Sequence, residues 1–353
     1  MKTRVAILCG GLSGEHQVSL ISAFNIARAL PRENYEVQLI GIRKDGSWCW
    51  RPEGDLLCQT DDIREIHLHP AAETLLPRQL GQLQNEQGKL QWQADVCFPI
   101  THGNFGEDGS LQGMLRLLRI PFVGCDVWGS AISMDKDVTK RLLVQAGLPV
   151  TPFITLRRNE NLLYSEVVAR LGSPFFVKPT REGSSLGVAK VRNEDKYLQA
   201  LKEAFSLDHK ILLEQAIIGR EIEAAVLGND SPEVAATLGE IIPNHEFYSY
   251  DAKYVDPNGA SLKIPAKLEA DVANRIRDLA AESFRIVEGL GMARVDFFLT
   301  KDNHIYINEI NTLPGFTSIS MYPKLWEASG LSYSELLHQL VPVSYTHLRA
   351  HET

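Results

Sequence analysis

The chain opens on a pattern that few folds can accommodate. "RVAILCGG" is a continuous apolar run stopped by two glycines, and "EHQVSLISAFNIARAL" follows it with helical periodicity. "EVQLIGI" is again apolar, and "ADVCFPITHGNFGEDGSLQGMLRLLRIPFVG" repeats strand, Gly-rich loop and helix. Apolar strands that alternate with amphipathic helices are buried on both faces, so the spacing predicts a parallel sheet flanked by helices. Between Leu57 and Trp92 the chain is polar and poorly periodic, which reads as a variable insertion.

The pattern changes after "SMDKDVTKRLLVQAGLPV", a helix for which Ser133 is the expected N-cap, Gly147 the C′ residue and Pro149 the stop. "PFFVKPTREGSSLGVAKV" has two strands around a Gly/Ser loop, and "KILLEQAIIGREIEAAVLG" is strand, break, strand. "ARVDFFLTKDNHIYINEIN" is a hairpin with Asp302 and Asn303 at its turn. The second half is therefore antiparallel and α+β, with boundaries expected near residues 125 and 214. The helix "SYSELLHQL" runs into Pro342 and an unpatterned tail, so residues 341–353 are expected to be a non-native tail without function.

The hairpin carries the first chemical signal. If Asp302-Asn303 is a two-residue turn, Asp296 lies opposite Glu309 and Arg294 opposite Asn311, with Cβ atoms about 4.5–5.5 Å apart. Two carboxylates that close repel unless a cation lies between them. A small set of hard oxygen donors suits Mg²⁺, which keeps waters and binds substrate phosphates. A solvent-facing hairpin with incidental charges explains the spacing equally well, and the pattern alone leaves both open.

"KPTREGSSLGV" joins two strands without matching GxxxxGK[ST]. A Gly-rich hairpin can still cover phosphates with backbone N–H groups and hydroxyls, with Lys178 before it and Lys136 on the preceding helix. Each lysine alone reads more readily as a solvated surface charge. In "GGLSGEHQVSL" the glycines do not match GxGxxG, which weakens a dinucleotide-binding reading. Glu15 and His16 can face a small zwitterionic substrate at the helix start, or Glu15 can simply complement the helix dipole.

Composition narrows the class of partner. The 353 residues carry a net charge of -8 and no Lys/Arg-rich run, which argues against a nucleic-acid groove or an anionic membrane surface. The apolar run Val5–Cys9 is shorter than the roughly 7–15 residues of a signal-peptide core. No segment approaches the ~18 apolar residues of a membrane span. Five cysteines without a CxxC pair, two of them inside apolar runs, read as reduced core thiols of a cytoplasmic protein. His67 and His69 lie in a polar stretch without further ligands, so a metal pair is not expected there.

Taken in order, "GGLSGEHQVS", "HGNFGEDGSLQG", "SMDKDVTK", "KPTREGSSLGV", "EFYSYDAKY", "ARVDFF" and "NEINTLPGFTSISMYP" resemble the D-alanine–D-alanine ligases of the ATP-grasp superfamily, over residues 4 to 340. Each stretch is modest alone; together they are specific. The resemblance implies a three-domain ATP-grasp architecture, α/β plus α+β. An N-terminal parallel-sheet domain (1–125) that holds the first substrate would precede two antiparallel subdomains that clasp ATP: a lid subdomain (126–214) and a catalytic subdomain (215–340).

It also implies roles. Asp296, Glu309 and Asn311 correspond to the ligands of two Mg²⁺ (or Mn²⁺) ions. Lys136, Lys178 and Lys253 correspond to the ATP phosphate contacts, with Ser184 and Ser185 on the covering loop. Glu214, with the backbone of Gln215 and Ile217, resembles the adenine-reading segment, and Glu221 the ribose contact. Glu15, Ser184 and Tyr254 match a hydrogen-bonded set around the first D-alanine, with His102 nearby. Arg294, the Gly315 N–H, Ser320 and Met321 match the second substrate's pocket, where the family usually has leucine in place of Met321. The implied activity is ATP-dependent formation of D-alanyl-D-alanine through an acyl phosphate, for peptidoglycan precursors, by a cytoplasmic homodimer. A ligase for D-lactate or D-serine, a non-catalytic nucleotide sensor and an NAD-dependent oxidoreductase are the alternatives. "DAKY", the complete residue set and the missing dinucleotide fingerprint argue against them in turn.

Overall fold

The computed structural model describes residues 1–52, 55–58, 66–243 and 260–344. Lys253 and Tyr254, on the expected lid, lie outside these residues. The first sheet is built on three parallel strands. β1 (Thr3–Gly10) lies between β2 (Tyr35–Ile42) and the later β9 (Val96–Pro99), and all six residues Val5–Gly10 are buried. Helix α1 (His16–Ala29) makes the β1–β2 crossover, and α2 (Ser110–Leu117) follows β9.

The stretch read as an insertion is ordered into short strands. β3 (Trp48–Trp50), β6 (Glu73–Pro77), β7 (Gln82–Gln84) and β8 (Leu90–Gln93) extend the sheet antiparallel from β2, in the order β8-β7-β6-β3-β2-β1-β9. β4 (Leu57–Cys58) and β5 (His67–Leu68) pair separately. The first sheet is thus mixed, parallel only where β1, β2 and β9 meet. Strands of two to five residues carry too few alternations to register as periodicity.

Helices α3 (Val127–Met134) and α4 (Lys136–Gln145) lead into a second sheet. The helix expected to begin at Ser133 is in fact two helices. Asp135 caps α4 by accepting the Val138 N–H at 3.2 Å, while Ser133 is buried inside α3. The four-stranded antiparallel sheet runs β10 (Phe153–Arg157), β13 (Lys210–Gln215), β11 (Phe175–Pro179), β12 (Ala189–Val191). Its helices are α5 (Tyr164–Leu171) and α6 (Glu194–Leu207), packed over Phe175, Val177 and Ile211.

The third sheet runs β17 (Ala260–Lys263), β16 (Gly239–Pro243), β14 (Arg220–Gly228), β18 (Gly291–Leu299), β19 (Ile305–Asn311), with β15 (Glu233–Val234) paired to β14. Helix α7 (Ala270–Ile286) covers one face, with Ile276, Ala280 and Phe284 fully buried. The other face meets α8 (Met321–Ala328) and α9 (Tyr333–Val343), and their core is continuous with that of α1 and β1. At its C-terminal end, α9 continues through Pro342 to Val343, and Val341 and Ser344 are each 1% exposed. The folded unit therefore reaches at least Ser344. No helix among the described residues is long and apolar enough to cross a membrane.

Candidate active site

A cleft of about 1350 Å³ opens where the three sheets meet. That exceeds the ~300–1,000 Å³ of a pocket for one drug-sized ligand, so it has room for a nucleotide and more. Glu15, His102, Lys136, Lys178, Ser184, Ser185, Glu214, Gln215, Ile217, Glu221, Arg294, Asp296, Glu309, Asn311, Gly315, Ser320 and Met321 all line it.

The β18–β19 hairpin supplies its floor. Asp296 pairs with Glu309 and Arg294 with Asn311, as the two-residue turn predicts. The route to that register is different. Near the turn, Leu299 pairs with Ile305, and the Thr300 N–H bonds to the His304 carbonyl at 2.9 Å. The loop therefore has three residues, Lys301 to Asn303, with Asn303 at φ +58°. A bulge beyond Asp296 then leaves Asn308 unpaired and restores the register. Two one-residue departures cancel.

Charge on this floor is dense. The Arg294 guanidinium donates from Nε and Nη2 to the two oxygens of Asp296, both at 2.7 Å, and its Nε lies 3.1 Å from Glu223. Burial alone would lower the Arg294 pKa; the charges of Asp296 and Glu223 outweigh it and hold the guanidinium firmly protonated. Glu223, opposite Asp296 across β14, was missed by sequence reasoning. Its only signal in the sequence is the alternation of Glu221 and Glu223 in "REIEAAV". The Lys136 ammonium lies 3.7 Å from Glu309.

The β11–β12 connection forms the roof. It is tied down at its base by Asp208, which accepts from Thr180 at 2.8 Å and Arg181 at 2.5 Å. Further along, the Glu182 carbonyl accepts from Lys136 at 2.8 Å, and its carboxylate accepts from Asn104 at 3.0 Å. Ser184 donates to the Glu15 carboxylate, which joins the roof to the start of α1. Ser184 and Ser185 both sit at positive φ, +52° and +60°, so hydroxyl residues here hold a backbone that glycine would adopt more easily. Gly103 and Gly183 leave room for Glu15: a Cβ on either would stand 2.9 and 3.0 Å from its Oε2. His16, by contrast, turns away from the cleft and bonds the Gly11 carbonyl at 2.7 Å.

Behind the roof, Glu214 is 4% exposed and lies between two lysines, Lys178 at 2.7 Å and Lys140 at 3.2 Å. Burial would raise the Glu214 pKa, but the Lys140 and Lys178 charges pull it below the usual range. Burial pushes Lys140 down to about 8, against the pull of Glu214. Lys140 was also missed, although it stands four residues after Lys136 on the same helix face. Beside Glu15, His102 is 5% exposed; burial opposes its charge, yet Glu107 at 3.6 Å raises its pKa overall. Across the cleft, a Cβ on Gly315 would stand 2.8 Å from the Ser320 hydroxyl, and Met321 is buried against Gly239.

Comparison with known proteins agrees along the whole chain. A D-ala D-ala ligase N-terminus family model matches residues 4–125, and a D-ala D-ala ligase C-terminus model matches residues 142–342. The D-alanine--D-alanine ligase A of Salmonella typhimurium is 53% identical over 349 residues, 97% of this chain and 96% of that protein. That of Escherichia coli (strain K12) is 50% identical over 351 residues, with the same coverage. Among solved structures, the D-alanine-D-alanine ligase from Coxiella burnetii superposes with a TM-score of 0.84 at 36% identity, covering 99% of this chain and 97% of that one. The VanG D-Ala:D-Ser ligase from Enterococcus faecalis gives 0.84 at 33%, covering 98% and 100%.

Proposed function

The chain belongs to the D-alanine–D-alanine ligase family, and from that premise we infer that it joins two D-alanines through an acyl phosphate made from ATP. The observation that carries this reading is the convergence of Glu15, Ser184, Arg294, Asp296, Glu309 and Asn311 on one cleft. A carboxylate resists nucleophilic attack because it is already negative. Phosphorylation gives it a good leaving group, and the amine of the second D-alanine then expels phosphate. The enzyme's task is to position both substrates and to neutralise charge.

Lys136 and Lys178 approach the phosphates from the roof side, and Lys253 completes the set. Ser184 and Ser185 cover the phosphates. Gln215, Ile217 and Glu221 hold the base and ribose, with Glu214 fixed behind them. Two carboxylates and an amide oxygen on one hairpin face are a hard donor set that fits Mg²⁺ or Mn²⁺, and the Asp296–Glu309 register supports this. Bound there, the ions would neutralise the transferring phosphoryl group. Arg294 bridges this floor to the second substrate, and with the Gly315 N–H it receives the oxyanion of the tetrahedral intermediate. Glu15 and His102 hold the first D-alanine, while Ser184, Tyr254 and Glu15 form the relay for the second amine's proton. Ser320 and Met321 bound the second pocket. The unit divides into a first-substrate domain (1–125), a lid subdomain (126–214) and a catalytic subdomain (215–340), and works as a cytoplasmic homodimer that supplies peptidoglycan precursors.

Similarity to a D-Ala:D-Ser ligase at 33% identity makes D-serine the second reading for the acceptor. Incubation with ATP, Mg²⁺ and D-alanine, alone and with D-serine or D-lactate, tests both. ADP, phosphate and D-alanyl-D-alanine are expected; a mixed product preferred at equal concentrations overturns the acceptor assignment. Tyr254→Phe is expected to leave ATP affinity unchanged and to raise the use of D-lactate relative to D-alanine. An unchanged ratio from pH 6 to 9 would reduce Tyr254 to packing.

A further inference from the structure

The segment that presents the Gly315 N–H has almost no secondary structure of its own, yet its backbone is held by side chains from distant parts of the chain. Ser22 is fully buried on α1, and its hydroxyl accepts the Phe316 N–H at 3.2 Å. One turn on, Asn25 donates to the Phe316 carbonyl at 3.1 Å, and the Tyr333 hydroxyl donates to the same oxygen at 3.0 Å. The Phe316 ring is fully buried among Phe98, Tyr322 and Tyr333. Upstream, His102 Nδ1 lies 3.2 Å from the Leu313 carbonyl. The peptide that carries the Gly315 N–H is thus pinned on both sides and left without a side chain of its own.

We propose that Ser22 and Asn25 are positioning residues for the bond-forming step, holding the Phe316 backbone so that the Gly315 N–H points at the reacting centre. The proposal rests on the ligase reading above. Its physical content lies in α1. Glu15 begins this helix and Ser22 follows seven residues later, about two turns and ~10.5 Å along the same face. One rigid helix therefore sets the distance between the anchor of the first substrate and the donor that meets the oxyanion. A loop free to pivot would have to be reordered at each turnover, and a misplacement of about 1 Å costs on the order of a hundredfold in rate. Two hydrogen bonds to one carbonyl and one to the adjacent N–H remove that freedom.

The test compares wild-type enzyme with Ser22→Ala, Asn25→Ala, Tyr333→Phe and the double variant Asn25→Ala/Tyr333→Phe. Turnover, KM for ATP and for D-alanine, affinity for a phosphinate dipeptide analogue of the tetrahedral intermediate, and amide exchange across residues 312–320 are measured. Ser22→Ala should lower kcat by about tenfold to a hundredfold, leave the KM for ATP within about threefold, and weaken the phosphinate by the same factor as kcat. Each single change at the carbonyl should be mild because its partner remains, and the double variant should match Ser22→Ala. Folded variants with wild-type kcat, or a loss of kcat without a matching loss of phosphinate affinity, overturn the proposal. If Ser22→Ala does not fold, the carbonyl double variant decides in the same way. A wild-type protein that forms no dipeptide would remove the ligase reading instead; unchanged exchange at 312–320 in Ser22→Ala would then overturn the clamp independently of activity.

Discussion

Helix α4 carries two charge clusters on neighbouring stripes, and they are built to opposite rules. On one stripe, Asp135 and Asp137 both accept from Lys210 at 2.7 Å, and Asp137 also takes Arg141 at 3.1 Å and Thr155 at 2.7 Å. Every buried charge there has several partners, which is what burial of ions requires. On the other stripe, Lys136 lines the cleft and Lys140 lies buried against Glu214. Lys140 is 1% exposed and has one carboxylate oxygen at 3.2 Å, with no well-formed hydrogen bond from its ammonium. Lys136 reaches a backbone carbonyl and, more loosely, Glu309. A satisfied network stabilises the fold. An under-satisfied one keeps donor capacity, and Lys136 is the member of it that lines the cleft.

The contrast predicts that changes on the two sides separate activity from stability. Glu309→Gln removes a carboxylate from the cleft floor without opening a cavity. Turnover should fall by about 10²–10³ or more, as when a key electrostatic contact to a developing charge is lost, while the melting temperature stays near wild type. A variant with unaltered turnover at saturating Mg²⁺ would detach Glu309 from the metal role.

Lys210→Met breaks the comparison from the other side. It leaves buried Asp137 and half-buried Asp135 without their shared cation, and although Arg141 and Thr155 still reach Asp137, the loss is expected to cost up to about 3–5 kcal/mol. Thermal or urea unfolding should register this directly, whereas the folded protein at low temperature should keep most of its kcat. If the variant kept its stability and lost its turnover, the division into structural and ligand-facing stripes would fail.

The same contrast explains what could be read in advance. Residues that touch ligands occur in short, chemically unusual stretches, and these mark themselves: "NEINTLPG" put a carboxylate and an amide where a strand should be apolar. The hairpin register was obtained by counting, but only because a three-residue turn and the bulge at Asn308 offset each other. Lys140 and Glu223 stayed hidden because their sequence surroundings look like ordinary exposed positions; only the packing of β13 and β14 buries them. Strands β3 to β8 were too short for a period to form. The division of "SMDKDVTK" into α3 and α4 depends on Asp135 as a cap, which competed with an equally plausible Ser133. Ser22 and Asn25 read as unremarkable polar positions in an amphipathic helix, since their partners lie about 290 residues away.

The smallest effects expected are also the sharpest, because the two stripes should respond on opposite limbs of a stability–pH curve. Burial would raise the pKa of Asp137, but Lys210, Thr155 and Arg141 bring it down to about 2. Its folded value lies below the unfolded value of about 3.9, so it contributes stability above that pH and loses it as pH falls toward 2. Lys140 is also shifted down, to about 8, by burial. The slope has the same sign, but for a lysine a lowered value means that it is the charged form the fold penalises. Between about pH 8 and the unfolded value near 10.4 the unfolded chain holds the proton more tightly, so this group makes stability rise with pH across that window. Asp137→Asn should therefore flatten the acid limb and leave the alkaline limb alone, and Lys140→Met should do the reverse. Urea titrations at closely spaced pH values from 2 to 10.5 would separate them. A Lys140→Met curve that still rose between pH 8 and 10 in parallel with wild type would show that its ammonium is better satisfied than its 3.2 Å contact with Glu214 implies, and the distinction between the stripes would lose its electrostatic basis.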